Sequence, residues 1–119
     1  MNGAEDALTA LNEEADAIVC CWDGATVVIS SVLETRGLTD EVMLVGFDGA
    51  GDALSLMREG KIAMDVAQPF ADLARNAVDV AVKVVHGEKV DTVVLDAKIV
   101  TPENCEEYIV EGGMSEYVK

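Results

Sequence analysis

Three short apolar runs, AIVCCW at 17–22, VMLVGF at 42–47 and IAMDVAQ at 62–68, limit what this chain can become more than any other feature. Strands this apolar suit burial on both faces, which is the condition of a parallel sheet. Segments of helical period stand around them. Ala4, Ala7, Leu8 and Leu11 predict an amphipathic helix over 4–14, and Ala25, Val28, Ile29, Val32 and Leu33 place one face of a helix over 25–35 despite its β-branched content. Gly37 supplies that helix's stop, and a helix over 51–59 with Ala53, Leu56 and Met57 inward ends at Gly60.

Pro69 is tolerated at a first helical turn. Phe70, Leu73, Ala74, Ala77, Val78, Ala81 and Val85 then predict a long inward stripe that closes near Gly87. TVVLDAKIV at 92–100 reads as a further strand whereas IAMDVAQ alternates imperfectly, and Thr101-Pro102-Glu103 opens a short helix through Tyr108. The order αβαβαβα with a late strand calls for parallel pairing and right-handed crossovers. The expected class is α/β: an open, mostly parallel sheet with helices on both faces, forming one lobe over 1–110 with a flexible tail at 111–119.

Composition narrows the partners. A chain of 119 residues with 23 acidic and 8 basic side chains carries a net charge of −15, which repels nucleic-acid phosphates and anionic lipids. Nucleic acid is therefore not an expected partner. Cys20, Cys21 and Cys105 form no disulfide or zinc framework, and Cys20 and Cys21 read as small core residues. No apolar stretch reaches membrane length and no secretory leader is visible.

In an open α/β sheet, ligands collect outside the carboxyl ends of the strands. Those ends carry Trp22-Asp23, Asp48-Gly49 and Gln68: an aromatic face, two carboxylates and a carboxamide. A carboxylate accepts from two hydroxyls, an amide donates and accepts, and a flat ring covers the C–H face of a cyclic ligand, so the set suits a neutral polyol such as a sugar. Each residue has a plainer use as well. Asp23 stands where a helix cap would, Asp48 can cap the helix near 51, Trp22 can be core and Gln68 can satisfy backbone groups.

Catalytic signatures are thin. His86, the single histidine, falls in the last turn of a helix, where the dipole accounts for it. GFDGAGDA does not space its glycines as a dinucleotide fingerprint, and no phosphate loop is present. No cofactor is called for. The enzyme-class alternative is a receiver-like phosphoacceptor domain holding Mg²⁺ between Asp23 and Asp48, which lacks a strand-end lysine.

VMLVGFDGAGDALSLMREGKIAMDVAQPFADLARNAVDVAVKVVHGEKV, followed by VTPENCEEY, resembles the C-terminal lobe of type I periplasmic binding proteins, the ribose-type sugar receptors of ABC transporters. The resemblance spans about residues 4–109, and VGFDG, EGKIA, AQPF and GEKV in series carry it. It implies a non-enzymatic receptor of two flavodoxin-like lobes that closes over a sugar and presents it to a permease, in the periplasm or outside the cell at the membrane. By that resemblance Asp48 and Gln68 contact sugar hydroxyls, and Asp23 matches the Asp of an Asn-Asp pair whose Asn is replaced by Trp22.

The same resemblance implies a truncation at the N-terminal side: an N-terminal lobe and two strands of this lobe are missing. AIVCCW would then be an exposed apolar edge, giving an expectation of homodimerisation through 17–22. The effector domain of a sugar-responsive repressor shares the architecture and stands as the other binding alternative.

Overall fold

The computed structural model describes residues 2–119, in which five helices and four strands alternate. Helix α1 (Asn2–Ala10) precedes strand β1 (Ala17–Val19), helix α2 (Asp23–Arg36), strand β2 (Met43–Asp48), helix α3 (Gly51–Arg58) and strand β3 (Met64–Ala67). Helix α4 (Phe70–Val85), strand β4 (Lys98–Val100) and helix α5 (Cys105–Glu111) complete the chain. The sheet order is β1-β2-β3-β4, parallel through the first three strands and antiparallel at the last. This is the expected open, mostly parallel α/β sheet.

Register decides which side chains meet. Val45 pairs with Met64, Gly46 with Asp65 and Asp48 with Ala67, so alternate residues of β2 and β3 fall on a common face. On one face Leu44 and Ala67 join Ala53, Leu54 and Met57 of α3, Leu33 of α2 and Ile109 of α5 in a continuous core. The two parallel crossovers step in the same direction along the sheet, which puts α2 and α3 on this one side, packed on each other.

Several local readings change. β1 stops at Val19 rather than Trp22, although the Cys20 N–H still donates to the Val45 carbonyl at 2.9 Å. The chain bends at Cys21 and Trp22, so Cys20 is core while Cys21 is exposed, contrary to the expectation of two core cysteines. α2 buries Thr26, Ser30, Val32 and Leu33, whereas Val28 lies open. The small side chains allow α2 to sit close against β2 and α3, and Thr26 Oγ1 satisfies itself on the Trp22 carbonyl at 3.2 Å. α1 ends at Ala10, short of the expected 14; it buries Leu8 and packs on α2, while Leu11, just past its end, is exposed.

The largest departure is α4. Its apolar stripe exists, yet none of its residues is buried, and Phe70, Val78, Val82 and Val85 are exposed. Residues 88–97 are irregular and almost wholly exposed, so the strand expected over 92–100 is reduced to Lys98–Val100. The Cα radius of gyration, 17.5 Å, exceeds the about 13–14 Å of a compact chain of this length because this arm projects from the lobe. The last residues, by contrast, return: Val118 joins the core and the Lys119 N–H donates to Ser55 Oγ at 2.9 Å. Among the described residues no helix is long and apolar enough to cross a membrane.

Candidate functional site

β2 ends on an unusual backbone. Asp48 has φ 130°, a region that side chains other than glycine rarely adopt, and Gly49 follows at 79°. At Gly49 a side chain would be doubly excluded, since a Cβ there would lie 2.6 Å from the Ala67 Cβ. The reversal leads through Ala50 directly into α3, which has no side-chain cap of its own.

The turn is held by two buried acids. Asp23, 2% exposed at the start of α2, accepts the Phe47 N–H on Oδ1 at 3.0 Å and the Ala50 N–H on Oδ2 at 2.7 Å. Asp65, fully buried in β3, accepts the Gly49 N–H on Oδ1 at 3.0 Å. The amides on both sides of Asp48 are thus fixed by carboxylates from α2 and β3. Asp23 does not cap α2, where Trp22 takes the cap position without a side-chain bond; it serves the β2–α3 turn instead.

Asp48 is left half-exposed and turned toward β3. Its Oδ1 accepts from Gln68 Nε2 at 2.6 Å, and its Oδ2 lies 3.5 Å from the Asp23 N–H. The Gln68 N–H also donates to the Asp48 carbonyl at 3.1 Å, so side chains and backbones of the two strand ends are tied together. A paired carboxylate and carboxamide keep a free carboxylate lone pair and the amide oxygen for a ligand's hydroxyls. A cavity of about 320 Å³ opens beside them, lined by Gly49, Gln68, Pro69, Phe70, Tyr108 and Met114. Its size and its mixture of aromatic walls with few polar groups suit a small ligand.

The four expected site residues therefore separate. Asp48 and Gln68 meet; Asp23 lies beneath them with both oxygens engaged by backbone. Trp22 is 57% exposed, covers Gly24 and lines a different cavity with Ala4, Ala25 and Ile29. A larger depression of about 480 Å³ along Ala74, Arg75, Val78 and Asp79 is walled by α4 alone and holds none of the strand-end groups.

Asp65 is the residue that sequence reasoning passed over. The signal was available, since the imperfect alternation of IAMDVAQ is this one carboxylate set on the inward face. Burial, and after it the neighbouring Asp23 carboxylate, push the Asp65 carboxyl up to about 7.

Comparison with known proteins places the fold. Residues 2–89 match the periplasmic binding protein domain family. The ribose import binding protein of Salmonella typhimurium is 36% identical over 90 residues, covering 76% of this chain and 30% of that protein. The D-xylose-binding periplasmic protein of Escherichia coli K12 is 32% identical over 90 residues, covering 74% and 27%. Among solved structures, the Caulobacter myo-inositol binding protein bound to myo-inositol superposes with a TM-score of 0.82 at 26% identity, covering 95% of this chain and 39% of that one. A solute binding protein of an ABC transporter from Bacillus halodurans C-125, also with bound myo-inositol, gives 0.79 at 34% identity, covering 92% and 39%. The chain spans about a third of the length of these relatives. With residues 2–89, more than half its length, matched, the chain belongs to the periplasmic binding protein domain family.

Proposed function

We propose that this chain forms one wall of a sugar- or polyol-binding cleft in the solute-binding component of an ABC transporter, with Asp48 and Gln68 as the hydroxyl-binding pair. The observation that carries this reading is their 2.6 Å hydrogen bond at adjacent parallel strand ends, on a backbone that places Asp48 at φ 130°. Strain of this kind persists where the surroundings over-determine it, and it clusters at ligand clamps. The relatives named for ribose, D-xylose and myo-inositol share neutral, hydroxyl-rich ligands, which is the chemistry the pair would recognise.

The role is binding rather than catalysis, and it belongs to the periplasmic side of a transporter whose permease receives the closed receptor. The receiver-type alternative is disfavoured by Asp23, whose oxygens are spent on the Phe47 and Ala50 N–H groups. With a single wall, a sugar keeps part of its hydration, so affinity for this chain alone falls well below that of a two-lobed receptor. Titration of ribose, xylose and myo-inositol, read by amide and side-chain NMR shifts, tests the proposal. Shifts at residues 46–50 and 68–70 that vanish in Asp48→Ala and Gln68→Ala support it. Equal shifts in those variants, or a response confined to the Trp22 cavity, would reject it.

A further inference from the structure

Asp65 is fully buried, and with Oδ1 bonded to the Gly49 N–H its Oδ2 has no donor in reach. That oxygen sits over Gly46, its register partner in β2. A Cβ at Gly46 would collide with both Asp65 Oδ2 and Asp23 Oδ1, so the space vacated by the missing side chain is where the two carboxyl groups meet. Ionised carboxylates only accept, and two of them this close and this dry repel.

Among the described residues no cationic side chain is paired with these carboxylates. The titratable groups facing Asp65 are Asp23 from α2, Asp48 from the end of β2, and Cys105 and Tyr108 from α5, while α3 offers the apolar Ala53, Leu54 and Met57. Burial raises the Cys105 thiol and the Tyr108 phenol, so neither supplies charge near neutrality. A single proton on Asp65 Oδ2 removes the conflict: the orphaned oxygen becomes a donor to Asp23, and Asp23 stays an acceptor for Phe47 and Ala50.

We propose that Asp65 is a positioning residue that carries a proton and, through Asp23 and the Gly49 N–H, holds the strained turn that presents Asp48, so that presentation weakens when the proton leaves. The chain of contacts is short. Asp65 and Asp23 together take the amides of residues 47, 49 and 50, which bracket Asp48 on both sides. Loss of the shared proton would put two charges over Gly46 and press Asp23 away from the amides it holds. The inference rests on the polyol reading only for what Asp48 is presented to.

Carboxyl ¹³C and amide ¹⁵N spectra of the full chain between pH 5 and 8.5 test this, in the wild type, Asp65→Asn and Asp65→Ala. The Asp65 carboxyl is expected to titrate near pH 7, with the amides of Phe47, Gly49 and Ala50 moving at the same midpoint. Asp65→Asn, which donates without titrating, should hold those amides at the wild type's low-pH positions throughout. Asp65→Ala should displace them at every pH; where it fails to fold, the Asn variant decides. Myo-inositol shifts at Asp48 and Gln68 should fall severalfold from pH 6 to pH 8 in the wild type and stay level in Asp65→Asn. An Asp65 carboxyl already ionised at pH 5, turn amides that ignore its titration, or an Asn variant as displaced as the Ala variant would overturn the proposal. Turn amides that follow Asp65 while no sugar binds at any pH would support the proton's role and strike the proposed function instead.

Discussion

α3 and α4 both follow a parallel strand, and both carry an apolar stripe at helical spacing, but they end in opposite circumstances. The eight residues of α3 bury Ala53, Leu54 and Met57 completely, while the sixteen of α4 bury nothing. The longer and more regular stripe is the exposed one. Periodicity reports which face of a helix needs cover; it does not say that the cover is within the same stretch of chain. α3 finds α2 and α5 beside it, whereas α4 meets no element among the described residues closely enough to exclude water.

That contrast can be broken by mutation. Leu54→Ala in α3 should cost about 2–5 kcal/mol in urea unfolding, because the cavity it leaves is enclosed. A loss below about 1 kcal/mol would mean that the packed half is loose as well. Gly46→Ala should cost about 1–3 kcal/mol by forcing a methyl group between Asp23 and Asp65, and Asp65→Asn beside it should not rescue the loss, since the overlap is steric.

The pH dependence comes next. The Asp65 carboxyl is raised in the folded state, from an ordinary value of 3.8 to about 7, so the folded chain holds the extra proton between those limits. Its contribution is fully present below pH 3.8 and is lost as pH rises to about 7. Stability should fall by up to about 1.4 kcal/mol per pH unit across that window and then level, with the slope abolished in Asp65→Asn. Asp48→Gly should stabilise the chain by about 1 kcal/mol through relief of the φ 130° backbone while removing the carboxylate, separating strain from recognition. Val78→Ser on α4 should change stability by less than about 0.5 kcal/mol; a larger loss would show that the arm docks in solution.

Much of this was legible in the sequence, for identifiable reasons. The order of elements follows from apolar runs and helix stops, and the helix end at Gly37 is closed by the Leu38 N–H on the Leu33 carbonyl at 2.8 Å. Asp48 and Gln68 could be placed at neighbouring strand ends because strand polarity and sheet class locate those ends. What local pattern could not carry was the identity of neighbours. Whether Thr26 or Val28 faces inward depends on how closely α2 approaches β2, and whether Trp22 faces the strand-end cavity depends on a bend at Cys21. Asp65 broke the alternation of its strand visibly, but the role of a buried acid there becomes readable only once Gly46 and Asp23 are known to lie opposite it.

The exposed strap at 88–97 has a practical consequence for handling the molecule. Lys89 sits in irregular, solvent-open backbone, the kind of site a protease engages first. A single tryptic cut after Lys89 would leave a second fragment that still contributes Val100, Cys105, Ile109 and Val118 to the common core. The nicked chain should therefore migrate as one particle in its native state and as two pieces in detergent, a ready-made split protein whose halves reassemble around α3.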